Sequence, residues 1–353
     1  MQQMRTTSEG RSNRDRRRLN LLSLDGGGVR GLSSLMILRK LMEDINPDNP
    51  PRPCEYFDLI GGTSTGGLIA IMLGRLGMTV NECIDEYKSM LPTAFTKIHH
   101  RVNFHGRVQG RFDHEALEKA VSDLLKRRGI DENALFKENF AASGCKTFVC
   151  TTSAKTSNTI ILSSYYSRRR GHDLRQVAKI WEVARATSAA SSFFDSITIA
   201  GEEFIDGATP ENNPILQLWS EAADVFGDRT DSTWRLEDNL QCLVSIGTGK
   251  LRLTPFATSI IKNEVGAALV AIATDTEQVA NTFQIHHTSL YQGKRAFRFN
   301  VGQGMEDIGL EEKEKIDDIE ASTRRYIQLE DTLVAMEACV RNLSERECAA
   351  LFS

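Results

Sequence analysis

The sequence predicts an α/β fold: a mostly parallel central sheet covered by helices on both faces, with a C-terminal helical extension. The main observation is a short apolar strand that leads into a glycine-rich turn and then a helix, a succession that occurs twice between residues 19 and 76. Such repetition is typical of parallel sheets, because parallel neighbours need a crossover connection. A content of 41% hydrophobic and 25% charged residues suits a globular chain of 353 residues.

The elements follow one another in a clear order. The first unit consists of an apolar strand at 19–24, a turn at 25–31 and a helix with apolar residues spaced by three and four up to Ile45. The second consists of a strand at 56–60, a turn at 61–67 and a helix at 68–76. The later patterns predict helices over most of 79–128, strands at 146–152 and 159–163, a helix at 181–192, strands at 203–206 and 242–246, a helical stretch at 260–283 and a strand at 296–301.

The C-terminal region carries an apolar stripe at near-heptad spacing. Its members are Ile316, Ile319, Tyr326, Leu333, Met336, Val340 and Leu343. The repeat is imperfect and carries both charges, which favours helices packed on their own domain over a coiled coil or a membrane-surface helix. We therefore divide the chain into a basic tail (1–18), an α/β domain (19–302) and a helical extension (303–353).

Charge and cysteine content narrow the range of partners. The tail holds a net charge of +4 against −8 for the remainder, and we expect it to be a solvated, disordered arm. An acidic body argues against nucleic acid as a partner. We expect no transmembrane segment, because no apolar run approaches the length of a membrane span. Seven scattered cysteines and no secretory signal predict a cytoplasmic protein.

A candidate nucleophile lies in the second turn. Gly62-Thr-Ser64-Thr-Gly66 fits the G-x-S-x-G nucleophile elbow, in which a sharp strand-to-helix turn projects the serine hydroxyl clear of the backbone. Glycines two residues to either side are required because a Cβ would crowd such a turn. The position between an apolar strand and an apolar helix strengthens the match.

The first turn has two possible uses. Gly26–Gly31 matches the dinucleotide fingerprint G-x-G-x-x-G, and the amides of Gly26, Gly27 and Gly28 could equally form an oxyanion hole. A dinucleotide site would place an acidic residue at the end of the second strand, where this chain has glycines instead. Acyl transfer therefore fits better, with Arg30 as a source of positive charge near the oxyanion or a substrate phosphate.

A serine nucleophile needs a base. A Ser-Asp-His triad would use His286 or His287, but such folds place several strands before the elbow, and Ser64 has only one or two. This mismatch favours an aspartate acting alone, and Asp206 is the best candidate because it ends a strand at a glycine turn. The histidines at 99, 100, 105 and 114 lack ligand spacing, so we expect no metal site.

Taken in order, these blocks resemble the patatin-like phospholipase family. The resemblance spans residues 20–300 and rests on Asp25–Gly31, Gly62–Gly66, Asp206-Gly-Ala208 with Asn212-Asn213-Pro214, and the flanking blocks 186–194 and 245–249. Two departures occur. The third block has alanine where Asp-Gly-Gly is commoner, and Ser191 stands where proline is usual.

The resemblance implies a three-layer α/β/α fold and a calcium-independent lipid acyl hydrolase without a cofactor. Ser64 then falls on the nucleophile, Asp206 on the base, and the glycines 26–28 on the oxyanion hole. The expected partner is a membrane or micellar lipid contacted peripherally. Two other hypotheses stay open: a dinucleotide- or phosphate-binding module using Gly26–Gly31, and a lipase domain within a larger signalling protein.

Overall fold

The computed structural model describes residues 18–94, 112–137, 144–169, 173–189, 194–207, 211–250 and 276–351. Its strands are β1 (Leu19–Leu24), β2 (Leu59–Thr63), β3 (Lys146–Ser153), β4 (Thr159–Ser163), β5 (Ile197–Ile199), β6 (Glu202–Asp206), β7 (Leu240–Ile246) and β8 (Ala296–Phe299). Its helices are α1 (Gly31–Ile45), α2 (Pro53–Tyr56), α3 (Thr65–Ala70, continued by a π-helical turn at Ile71–Arg75), α4 (Val80–Ala94), α5 (His114–Arg127), α6 (Asp173–Val177), α7 (Ile180–Thr187), α8 (Ile215–Phe226), α9 (Leu236–Asn239), α10 (276–286), α11 (Thr288–Gln292), α12 (Ile316–Ile327) and α13 (Glu330–Leu351). Short 3₁₀ turns lie at Gly28–Arg30 and Lys313–Lys315.

All of these strands belong to one sheet. Hydrogen-bonded neighbours follow the path β5-β6-β3-β2-β1-β7-β8, and β4 pairs with β3 outside this path. The pairs β1–β2, β1–β7, β2–β3 and β7–β8 are parallel, whereas β4 and β6 run antiparallel to β3, and β5 antiparallel to β6. The predicted mostly parallel sheet is therefore confirmed.

Helices cover both faces of the sheet, as predicted. Along β1, Leu22 and Leu24 belong to the core cluster that contains α1, whereas Leu19 and Leu21 belong to the cluster that contains α8. Every residue of β1 is buried. A strand that is apolar on both faces is what a sheet enclosed between two helical layers requires.

The C-terminal stripe folds into two helices rather than one. Thr323 of α12 donates its hydroxyl to Ser33 of α1 at 2.8 Å. Cys339 of α13 lies with its sulfur 3.9 Å from that of Cys242 on β7, and both are buried. Ile319, Met336 and Leu343 of the stripe are also buried. Helices α12 and α13 thus pack against α1 and the neighbouring sheet.

Several predicted boundaries are wrong. The strand expected at 56–60 begins only at Leu59, because Pro53 starts a short helix that the Glu55 carboxylate caps by accepting from the Arg52 amide at 3.1 Å. The helix expected to reach residue 192 ends at Thr187, and the last predicted strand ends at 299. Parts of the predicted helices at 79–128, 181–192 and 260–283 lie outside the described residues.

Among the helices of the described residues, none combines the length and the apolar character needed to cross a bilayer.

Candidate active site

Ser64 occupies a sharp turn between β2 and α3. Its backbone has φ 52° and ψ −124°, a left-handed conformation that is costly for a residue with a side chain. A Cβ on Gly62 would overlap the carbonyl oxygen of Gly66, and a Cβ on Gly66 would overlap that of Leu24. The turn therefore needs glycine at both positions, and the strained serine side chain is left partly exposed.

A threonine outside the motif holds this turn in place. The Ser64 amide donates to the Thr187 hydroxyl at 2.9 Å, and that hydroxyl donates to the carbonyl of Cys150 at 2.7 Å. Thr187 is the last residue of α7, so this helix end ties the elbow to β3. Sequence reasoning missed this residue, although it lies within the 186–194 block that carries part of the resemblance.

The topology of the sheet brings β2 and β6 to one edge of β3. Residues 148–150 of β3 pair with both β2 and β4, and residues 151–152 pair with both β4 and β6. A strand has two edges, and β4 occupies one edge of β3 from residue 148 to residue 152. Strands β2 and β6 therefore share the other edge, one beyond the end of the other.

These two strands meet end to end. The last residue of β2, Thr63, pairs with Cys150, whereas Asp206, the last residue of the antiparallel β6, pairs with Thr151. Cys150 and Thr151 are consecutive, which separates the two levels by about 3.3 Å along the strand. Since Ser64 follows Thr63 directly, the structure brings Ser64 and Asp206 to the same point of the sheet.

Asp206 is held from the backbone and withdrawn from solvent. It is 3% exposed, and its amide donates to the carbonyl of Ala189 at 2.8 Å. The next residue, Gly207, lies so close to β3 that a Cβ there would come within 2.7 Å of the Cys150 backbone. Ala208 and Ser191, the two departures from the family pattern, lie outside the described residues.

The carbonyl groups of Gly26 and Gly27 each accept hydrogen bonds from specific donors. Gly26 O accepts from the Thr248 hydroxyl at 2.9 Å and from the Asn212 side chain at 3.3 Å. Gly27 O accepts from the Arg30 amide at 3.2 Å. A planar trans peptide points its N–H away from its carbonyl, so these bonds also set the direction of the Gly27 and Gly28 amides.

The amides of the loop are not equivalent. The Gly26 amide donates to the carbonyl of Asn212 at 3.0 Å, so the expectation that it serves the oxyanion hole is corrected. Within the described residues, the amides of Gly27 and Gly28 have no acceptor. The loop also lies beside the serine, because a Cβ on Gly26 would be 3.1 Å from the Ser64 Cβ. Two unused donors therefore remain beside Ser64.

Gly28 is fixed by three residues, of which Tyr87 and Leu310 lie outside every motif of the sequence. Its carbonyl accepts from the hydroxyls of Thr65, at 3.2 Å, and Tyr87. Its φ is +55°, and the carbonyl of Leu310 fills the space that a Cβ would need. That same carbonyl accepts from the Val29 amide at 2.9 Å. Burial raises the pKa of Tyr87, so its hydroxyl stays protonated as a donor.

Arg30 is buried within the loop. It is 4% exposed, and its Nε lies 3.5 Å from the carbonyl oxygen of Gly27. Burial lowers its pKa to about 10, which still leaves the guanidinium charged at neutral pH. In the part of the chain that the structure describes, no carboxylate pairs with it. Its positive charge is thus available to the loop.

The histidines that a triad would use lie elsewhere. His287 packs between Trp219 and Phe283, each 4.4 Å away, with its Nδ1 3.6 Å from Glu237. Glu237 lies just before the start of β7, whereas Ser64 follows the end of β2. Since β7, β1 and β2 are parallel, His287 lies at the opposite end of the sheet from Ser64. Its neighbour His286 is exposed there, so the triad hypothesis is wrong.

Of the four histidines considered for a metal, the structure describes one. His114 lies with its Nδ1 3.4 Å from Asp195, and the other three fall outside the described residues. No group of three or more metal-ligating side chains occurs among the residues whose placement is described.

The α/β sheet holds a strained serine turn, an aspartate that ends the next strand along the same edge of β3, and two amides that have no acceptor among the described residues. These features define a protein of the nucleophile-elbow class. The family model for patatin-like phospholipase matches residues 22–219, more than half of the chain. The chain therefore belongs to the patatin-like phospholipase family.

Three relatives of known name show how far the similarity extends. The chain is 29% identical over 329 residues to the calcium-independent phospholipase A2-gamma of Mus musculus, a match that covers 89% of this chain and 39% of the relative. The Homo sapiens protein of the same name is also 29% identical, covering 88% and 38%. Phospholipase A I of Arabidopsis thaliana is 27% identical, covering 66% and 21%. The chain thus spans about two fifths or less of these relatives.

Proposed function

We propose that this protein is a lipid acyl hydrolase that cleaves fatty-acyl esters of glycerolipids by a Ser64–Asp206 dyad. One observation carries the proposal: β2, which leads into Ser64, and β6, which ends with Asp206, stop opposite consecutive residues of β3. Membership of the patatin-like phospholipase family and the names of the relatives support phospholipid esters as the substrate class. The catalytic unit would be residues 19–302, with 303–353 packed on it.

The first half of the cycle forms an acyl-enzyme. Asp206 accepts the proton of the Ser64 hydroxyl as its oxygen attacks the ester carbonyl carbon. The carbonyl oxygen becomes an oxyanion that accepts from the Gly27 and Gly28 amides, and the Arg30 charge adds to this stabilisation. When the intermediate collapses, the bond to the glycerol oxygen breaks. That oxygen takes the proton back from Asp206 and leaves as the alcohol of the lysolipid.

The second half releases the fatty acid. A water molecule loses a proton to Asp206 and attacks the acyl carbon, and the same two amides bind the second oxyanion. The bond to the Ser64 oxygen then breaks, the serine recovers its proton from Asp206, and the fatty acid leaves. An ordinary aspartate is a weak base, with a pKa of about 3.9 in water. Burial of the Asp206 carboxyl and stabilisation of the oxyanion would therefore both be needed to lower the activation barrier.

The test is fatty-acid release from phosphatidylcholine vesicles, measured by mass spectrometry. We expect release by the wild-type protein and a loss of about 10⁴-fold or more in Ser64→Ala and Asp206→Asn, as for other dyad and triad members. Ser289→Ala, on an exposed helix at the far end of the sheet, is the matched control and should keep full activity. Equal release by wild type and Ser64→Ala would overturn the proposal.

A further inference from the structure

A buried ion pair lies directly beneath the glycine loop. Asp25 immediately precedes Gly26 and is fully buried. Its Oδ2 accepts from Nη2 of Arg298 at 2.6 Å, although the two residues are 273 positions apart. Its amide donates to the carbonyl of Ile246 on β7 at 3.1 Å. The first residue of the loop is therefore held through both its backbone and its side chain.

Arg298 joins this carboxylate to the neighbouring elements. Its Nη1 donates to the Ser245 hydroxyl of β7 at 2.8 Å, and its Nη2 lies 3.4 Å from Glu277 of α10. Glu277 in turn binds the Asn300 side chain at 2.8 Å and Lys250 at 3.2 Å.

These contacts also reach the loop by a second route. Thr276, next to Glu277 on α10, accepts from the Asn212 side chain at 2.6 Å. Asn212 accepts from the Gly26 amide and donates to the Gly26 carbonyl. The peptide groups on both sides of Gly26 are therefore oriented from the elements that Arg298 holds together. The second of those peptide groups contains the Gly27 amide, and the Gly28 amide lies in the next peptide group along the chain.

We propose that Arg298 is a positioning residue for the oxyanion hole, acting through Asp25 on the direction of the Gly27 and Gly28 amides. This inference rests on the proposed hydrolase function. Arg298 touches no substrate in this account; it fixes the aspartate from which the loop begins. Displacement of an oxyanion donor by about 1 Å can cost up to about 10²-fold in rate, so a distant bond of this kind affects turnover.

The inference predicts a particular kinetic signature. Oxyanion donors act on the transition state more than on bound substrate, so Arg298→Met should lower kcat about 10- to 100-fold and leave KM within about twofold. Arg298→Lys, which keeps one donor to Asp25, should recover part of the loss. Arg295→Met is the matched control, because Arg295 lies beside the same strand and binds the carbonyls of Glu237 and Leu240 at the far end of the sheet. It should leave kcat unchanged.

The pH profile separates this role from a merely structural one. Burial raises the pKa of Asp25 to about 6, although Arg298 opposes the shift. Among the described residues, the other charged group that acts on Asp25 is Glu277, with Lys250 beyond it. Loss of the Arg298 charge would raise the Asp25 pKa further. The acid limb of the kcat profile should therefore move to higher pH in Arg298→Met and stay in place in Arg295→Met.

The assay uses the full chain on phosphatidylcholine vesicles, with thermal unfolding recorded for every variant. A folded Arg298→Met protein that keeps the wild-type kcat, or in which KM alone changes, would overturn the inference while leaving the hydrolase proposal intact. If Arg298→Met does not fold, Arg298→Lys decides by the same two readouts. A wild-type protein whose fatty-acid release equals that of Ser64→Ala would instead reject the hydrolase function itself.

Discussion

The two turns at the ends of β1 and β2 lie side by side but are built in opposite ways. The serine elbow after β2 depends first on its own glycines, since Gly62 packs against Gly66 only four positions later, and the described structure adds one side-chain bond, from the Ser64 amide to the Thr187 hydroxyl. The glycine loop after β1 is shaped by distant residues: its bonds come from Tyr87, Asn212 and Thr248, which lie 59 to 222 positions from their acceptors. The nucleophile is thus presented by local geometry, whereas its oxyanion donors are aimed by the tertiary structure.

The difference has a consequence for mutation. Substitutions of the elbow glycines should act on the fold, because a Cβ there overlaps backbone atoms. Substitutions of the distant residues that bond the glycine loop should act on turnover, because they reorient its amides without disrupting a strand or helix. Measuring stability and turnover on the same variants separates these two effects.

The largest contrast is between Gly62→Ala and Gly27→Ala. A Cβ at position 62 would overlap backbone atoms of Gly66, so we expect a loss of about 3 kcal/mol or more of unfolding free energy. A Cβ at position 27 would come within 2.1 to 2.7 Å of three side-chain atoms of Thr248, including its Cβ, so Thr248 must shift and its bond to the Gly26 carbonyl is disturbed. Because these nearest atoms belong to one side chain rather than to the backbone, stability should fall less than in Gly62→Ala, and kcat should fall about 10-fold or more. Gly302→Ala, with open space around it, is the control for both. Denaturant titration and vesicle assays check these values, and equal stability losses at 62 and 27 would contradict the contrast.

A second prediction concerns pH and the carboxyl beneath the glycine loop. Because burial raises the pKa of Asp25 to about 6, its stabilising contribution is complete below about pH 4, the unfolded pKa, and is lost as the pH rises through 6. A shift of about two pKa units corresponds to about 3 kcal/mol. Asp25→Asn should remove this slope from the unfolding free energy between pH 4 and 6. An unchanged slope in the variant would show that other groups produce it.

Replacement of Asn212 should have an intermediate effect. Asn212→Ala removes the side-chain bonds to the Gly26 carbonyl and the Thr276 hydroxyl, while the backbone bond to the Gly26 amide can persist. We expect a loss of about 1–3 kcal/mol in stability and a fall in kcat with little change in KM. Labelling of Ser64 by a small fluorophosphonate should slow in parallel. A stability loss without any slowing would mean that this bond does not aim the amides.

The smallest expected effect is that of Tyr87→Phe. The variant loses one of two hydroxyls that donate to the Gly28 carbonyl, and Thr65 keeps the other. We expect a loss of about 1 kcal/mol in stability and of about twofold to fivefold in kcat. Thr65→Val together with Tyr87→Phe should lower kcat by more than either change alone. If the double variant matches wild type, these hydroxyls have no part in orienting the loop.

The sequence was informative where structure is local. The strands at 19–24 and 159–163 and the elbow glycines follow from short patterns. The motif at Asn212 and the block around Thr248 were visible as part of the family resemblance, but their contacts with the loop were not.

What the sequence could not supply depends on tertiary contacts. Leu310 acts through its backbone carbonyl, Tyr87 through one hydroxyl on a helix, and Arg298 through a strand at the other end of the chain. None of these residues lies in a motif. Their contacts leave no signal in the sequence, because every residue has a backbone carbonyl and a tyrosine can occur in any helix. The exclusion of the Gly26 amide likewise required knowing that Asn212 faces it.

The most direct test of the dyad is to map where a fluorophosphonate attaches, by peptide mass spectrometry on the wild-type protein and on Asp206→Asn. We expect one modified residue, Ser64, in the wild-type protein, and labelling slowed by orders of magnitude in the folded Asp206→Asn variant. Modification at another serine, or labelling of Ser64 at the wild-type rate without Asp206, would contradict it.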